Sequence, residues 1–97
     1  MRLPVAGCQL PIEQAKVYTL YAYFTKARDY GIVQAKLDGK PVGQPFDGYC
    51  RDVARSDRIE LGIVELAAGK HELTFEVTGK NPESKGYLVG VDAILLR

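Results

Sequence analysis

Apolar and polar residues alternate along much of this chain with a period of two. That spacing puts every second side chain on one face of a β-strand. Residues 17–25 (VYTLYAYFT) are the densest run. Tyr18, Leu20, Ala22 and Phe24 share one face, and Thr19, Tyr21, Tyr23 and Thr25 share the other. β-Branched and aromatic residues suit such a pleated surface. The second face is amphipathic, fit for half-exposure or for packing on a neighbour. Residues 31–37 follow as a strand, with Val33, Ala35 and Leu37 inward and Gln34 and Lys36 outward. Asp38-Gly39 is a tight-turn pair between two strands. Pro41-Val42-Gly43 starts a short return strand, and Pro45 and Gly48 place residues 46–50 in a loop or at an edge.

Residues 51–58 (RDVARSDR) are the most polar stretch and read as a long surface loop. The strand predicted over 58–66 shifts phase, from Ile59, Leu61 and Ile63 to Val64 and Leu66. A slip beside Gly62 is the mark of a β-bulge. Ala67-Ala68-Gly69-Lys70 is the next turn. His71, Leu73, Phe75 and Val77 then form one face of a cleanly alternating strand. Residues 79–86 (GKNPESKG) are a turn-rich loop. The last strand, 87–96, carries apolar residues in both phases, which predicts a strand that is buried on both sides or central. Residues 1–16, with Pro4, Gly7 and Pro11, have no clean period and read as an irregular or extended leader. The prediction is one domain over 17–97 built from six or seven short strands: an all-β antiparallel sandwich or barrel.

Composition narrows the function. The 97 residues are 46% hydrophobic and 26% charged, the make-up of an ordinary small globule. A formal net charge of +1 argues against nucleic acid as a partner. One histidine, His71, excludes a multi-histidine metal site, and two cysteines cannot make a four-cysteine zinc site. No run approaches the roughly 20 apolar residues of a membrane helix, so no membrane span is expected, and no cofactor is implied. Val5-Ala6-Gly7-Cys8 has the form of a lipoprotein cleavage site. Only Met1 to Pro4 precede it, so it reads as a chance match. Cys8 and Cys50 either pair in an oxidising compartment or remain free thiols, and they are read as free.

Several short runs together resemble a known family. They are Tyr18-x-Leu20, Thr25-Lys26-Ala27-Arg28-Asp29-Tyr30-Gly31, Leu37-Asp38-Gly39-Lys40-Pro41-Val42-Gly43, Leu66-Ala67-Ala68-Gly69-Lys70-His71 and Val91-Asp92-x-Ile94-x-Leu96. Their order and spacing resemble the galactose-binding-like jelly rolls, the carbohydrate-binding-module-like accessory β-sandwiches of bacterial glycoside hydrolases. The resemblance covers residues 17–96. It implies a jelly-roll sandwich, a carbohydrate ligand, and an extracellular or periplasmic location. Such modules carry two or three more strands before the position of Tyr18. A shortened front predicts an open sheet edge and assembly as a dimer.

A sugar presents apolar C–H faces to aromatic rings and hydroxyls to planar polar groups. The candidate ligand-binding residues are therefore Arg28, Asp29, Tyr30, Tyr49, Arg51, Asn81 and Tyr87. Each has a structural alternative. Strand tyrosines such as Tyr18, Tyr21 and Tyr23 also serve simply to cover a small core. Asp29 and Gly31 are turn formers, and Asn81 lies in a solvated loop. Asp38, Asp47, Asp52, Asp57 and Asp92 contain no Asp-x-Asp-x-Asp run, so calcium is not expected. His71 reads as a satisfied, partly buried side chain. No carboxylate pair has a spacing that marks a glycoside hydrolase. The sequence thus points to a non-catalytic glycan-binding module, with a structural or oligomerisation module without a small ligand as the alternative.

Overall fold

The computed structural model describes residues 5–97. Its strands in chain order are β1 (Val5–Ile12), β2 (Lys16–Lys26), β3 (Ile32–Leu37), β4 (Lys40–Pro41), β5 (Phe46–Asp47), β6 (Ala54–Arg55), β7 (Ile59–Leu66), β8 (Gly69–Gly79) and β9 (Gly90–Leu96). They form two sheets whose strands pair antiparallel. In the first, β8 lies between β1 and β3, and the short β4 and β5 line the far side of β3. In the second, β2 is central. Ala22 pairs with both Ile59 and Ile94, and Thr25 with both Arg55 and Gly90, so β7 and β6 flank one side of β2 and β9 the other.

The alternation read from the sequence decides which faces meet. Leu20, Ala22 and Phe24 of β2 share one buried cluster with Val33, Ala35 and Leu37 of β3 and Leu73 and Phe75 of β8. Phe24 is the aromatic hinge of this core. It stacks on Phe46 at 4.3 Å and meets Phe75 edge-on at 5.6 Å. Burying each large side chain contributes about 1.5–3 kcal/mol. The all-β sandwich expected from the sequence is the architecture found.

Local signals explain the turns. Asp38 and Gly39 both have positive φ, 51° and 83°, as a two-residue hairpin turn with matching twist requires. The predicted bulge in β7 is present. Leu20 pairs with Gly62 but Tyr21 pairs with Glu60, leaving Leu61 as the extra residue. Leu61 and Leu66 are consequently both buried despite their opposite phases.

Two segments differ in detail from the sequence reading. Within the leader, Val5–Ile12 is strand β1, paired with β8 from Val5↔Glu76 to Ile12↔Gly69. Pro11 is tolerated because, among the described residues, β1 has a strand on one side only. The last strand is not central, which corrects the expectation for 87–96. Among the described residues β9 pairs with β2 alone, and Asp92 and Ala93 are exposed. Its apolar residues occupy both phases for another reason. Tyr23 pairs with Ala93 and Phe24 with Val91, so Asp92 is a bulge that resets the alternation. Cys8 and Cys50 are free.

Candidate functional site

The candidate residues from the sequence gather at one end of the sandwich. Three segments meet there: 27–31 after β2, 46–52 around β5, and 80–89 before β9. Ala27 bridges to Tyr49, and Tyr30 to Leu88. The Gly48 and Leu88 carbonyls accept from Ala27 and Gly31 at 3.0 and 2.8 Å, and Lys85 N–H donates to the Arg28 carbonyl at 2.8 Å. Ser84 is the knot. It is buried, and its hydroxyl lies 2.7 Å from the Tyr30 carbonyl, 3.0 Å from that of Gly86 and 3.2 Å from that of Arg28.

Much of the polar chemistry at this rim is already committed. Asn81 donates from Nδ2 to Asp47 at 2.8 Å and accepts from the Glu83 N–H at 2.9 Å. It therefore clasps two loops. Asp47 also caps the Tyr49 N–H at 3.0 Å. Tyr30 is half-buried and lies across Gly90, where an added Cβ would stand 2.8 Å from Tyr30 Cε2. The cavity beneath it, lined by Phe24, Tyr30, Phe46 and Leu88 among others, is only about 10 Å³. Asp29, Tyr49 and Tyr87 are half-buried, and Arg28 and Arg51 are exposed. The rim thus offers projecting side chains on a rigid, internally bonded base, with no deep pocket.

A more open concavity lies on the outer face of the second sheet. It has a volume of about 460 Å³ and is lined by Tyr23, Arg55, Asp92 and Ala93. The Asp92 bulge turns its carboxylate onto this face. There it accepts from the Thr25 hydroxyl at 2.8 Å and pairs with Arg55 Nε at 3.2 Å. Neighbouring Tyr21 is covered by the Arg58 guanidinium, 4.7 Å from its ring centre. In the sequence Tyr23 is an aromatic for which core cover is the stronger reading, and nothing there connects Asp92 with Arg55. The available signal was an aspartate interrupting an otherwise apolar strand.

His71 and Asp38 stand at the opposite end, where β3 turns into β4. The imidazole Nδ1 is 2.6 Å from Asp38 Oδ2, and Nε2 is 2.7 Å from the Ala67 carbonyl. Both ring nitrogens face acceptors, so the doubly protonated ring satisfies both. The hydrogen bond to Asp38, then that to Ala67, raises the His71 pKa above its ordinary value. The bonds from His71 and from the Glu72 N–H lower that of Asp38. With both nitrogens engaged, this pair is a hairpin fastener and has no free base to offer. Among the described residues, no cluster of His, Cys, Asp and Glu could hold a metal ion, and no helix is long and apolar enough to cross a membrane.

No protein-family model matches the chain, and no curated protein sequence matches it. Among solved structures, it superposes on part of a xanthan lyase from Paenibacillus with a TM-score of 0.85 and 24% identity. The match covers 99% of this chain and 9% of that one. It therefore shows the fold: this chain has the size and shape of one small β-domain within a much longer enzyme.

Proposed function

We propose that the chain is a non-catalytic accessory module that recognises a glycan, using tyrosine stacking and hydrogen bonds from Arg, Asp and Asn side chains. The observation that carries this reading is the near-complete superposition on a small segment of an enzyme named for a polysaccharide. The family resemblance of residues 17–96 points the same way. At the rim, Arg28, Asp29, Tyr30, Tyr49, Arg51, Asn81 and Tyr87 supply the residue types, on a backbone held by hydrogen bonds between its loops. A non-catalytic role fits the hydrogen-bonded acid–base pair His71 and Asp38, whose polar atoms fasten a hairpin. The test is migration through native gels cast with soluble xanthan, glucomannan or xylan. Retardation relative to a folded control protein is expected. Unaltered migration in every gel would overturn the reading.

One observation favours a second reading, assembly with another chain. The register places Cys8 opposite the buried Leu73, yet Cys8 is exposed. An apolar groove of about 380 Å³ opens there between β1 and β9, lined by Ala6, Cys8, Phe75, Val91 and Ile94 among others. β1 also carries no charged side chain over its eight residues, the usual guard of an edge strand. Light scattering across a wide concentration range tests this reading. A stable dimer supports it, and a monomer at all concentrations refutes it.

A further inference from the structure

Tyr23 occupies an unusual place in the second sheet. Strand β2 pairs with β7 as far as Ala22 and with β6 from Thr25, so on that side Tyr23 has no cross-strand partner among the described residues. On the other side its partner is Ala93, whose methyl group covers little of a ring. The phase of β2 directs Tyr23 away from the buried Ala22 and Phe24. A half-exposed ring therefore lines a concavity together with Arg55, Asp92 and Ala93. The other β2 tyrosines are engaged: Lys16 lies 5.0 Å from the ring centre of Tyr18, and Arg58 covers Tyr21.

A polar pair stands beside this ring. Arg55 and Asp92 come from opposite sides of β2 and meet over Thr25. The Arg55 side chain is 81% exposed and uses Nε for the contact, which leaves its terminal nitrogens to donate. Asp92 takes one bond on each oxygen, and each oxygen retains acceptor capacity. Donors and acceptors side by side, next to a flat apolar ring, match adjacent hydroxyls on a sugar whose C–H face lies on the ring. Arg55 and Asp92 offset each other's charge beside the ring, so the site favours a neutral ligand over an anion. The volume of about 460 Å³ is within the range of small-ligand sites.

We infer that this face is a pyranose-binding subsite that adjoins the rim at Thr25 and Gly90, with Tyr23 as the stacking platform and the Arg55–Asp92 pair as the hydroxyl reader. The inference rests on the glycan reading above and gives that reading a location. The test is a titration of isotope-labelled protein with cellohexaose, mannohexaose and xylohexaose, followed by amide NMR to about 10 mM, enough for a millimolar Kd. Amide shifts centred on residues 23, 55, 92 and 93 are expected. Tyr23→Ala should weaken binding at least about tenfold, and Arg55→Ala about three- to tenfold. Because Arg55 is exposed, its variant keeps the fold if Tyr23→Ala does not. Shifts confined to the rim, with Arg55→Ala binding as the parent does, would overturn the subsite and leave the glycan reading standing. No shifts with any of the three sugars would overturn the subsite, and the glycan reading itself would then be judged on the polysaccharide gels.

Discussion

Removing the Ser84 hydroxyl tests whether one buried side chain holds the rim together. Ser84 is 4% exposed, and its Oγ lies within hydrogen-bond reach of three carbonyls on two segments. The hydroxyl has one proton, so at any instant it satisfies one of them, with Tyr30 the shortest at 2.7 Å. Ser84→Ala removes that donor and leaves a part-buried acceptor unpaired, a loss of about 1–3 kcal/mol. For a domain of this size, each 1 kcal/mol moves the melting temperature by about 4–8 °C. The expected fall is therefore about 4 °C at the least and about 24 °C at the most. Thermal unfolding followed by far-ultraviolet circular dichroism reads it. A shift below about 2 °C would show that the loops are held by their backbone bonds alone, and would refute Ser84 as the knot.

Gly43→Ala should be costly, because a Cβ there would run into the Leu61 carbonyl and φ is +73°. A loss of at least about 2 kcal/mol in urea unfolding is expected, whereas Gly39→Ala, which meets no atom, should cost only the strain of its positive φ. The His71–Asp38 pair sets a pH dependence. The His71 pKa is raised above the ordinary 6.5, so its contribution is fully present below pH 6.5 and is lost as pH rises through the folded value. That of Asp38 is lowered below 3.8, so its contribution is present above 3.8 and is lost as pH falls through the folded value. Urea midpoints from about pH 5 to about pH 9 should decline on the alkaline side, and His71→Gln should flatten that decline. An unchanged slope in the variant would contradict the assignment.

The elements legible in the sequence were those in which local and long-range demands agree. β2, β3 and β8 alternate cleanly because one face of each meets the core, and Asp38-Gly39 announces its turn because only a few residue types accept positive φ at both positions. The β7 bulge was visible as a phase slip beside Gly62. The same signal in β9 was present but ambiguous, since apolar residues in both phases describe either a strand buried on both faces or a strand reset by a bulge. Asp92 was the clue, and only the pairing with β2 decides between the two. β1 was hidden by Gly7 and Pro11, residues that an edge position tolerates. The seven rim candidates do lie at one end, because loops 27–31, 46–52 and 80–89 converge there. What could not be read was that Asn81 spends its amide on Asp47 and Glu83, and that Arg55 and Asp92, 37 positions apart, meet across β2.

Glycan recognition is the central claim, and its most direct measurement is calorimetric titration of the intact chain with soluble polysaccharide, with tyrosine emission recorded in parallel. The chain has six tyrosines and no tryptophan, so the emission reports on the residues proposed to stack. The account predicts saturable heat and a saturable change in tyrosine signal, with a Kd of the order of 1 mM or tighter per sugar-binding unit. A folded protein that shows neither, with sugar present to about 10 mM, would contradict it.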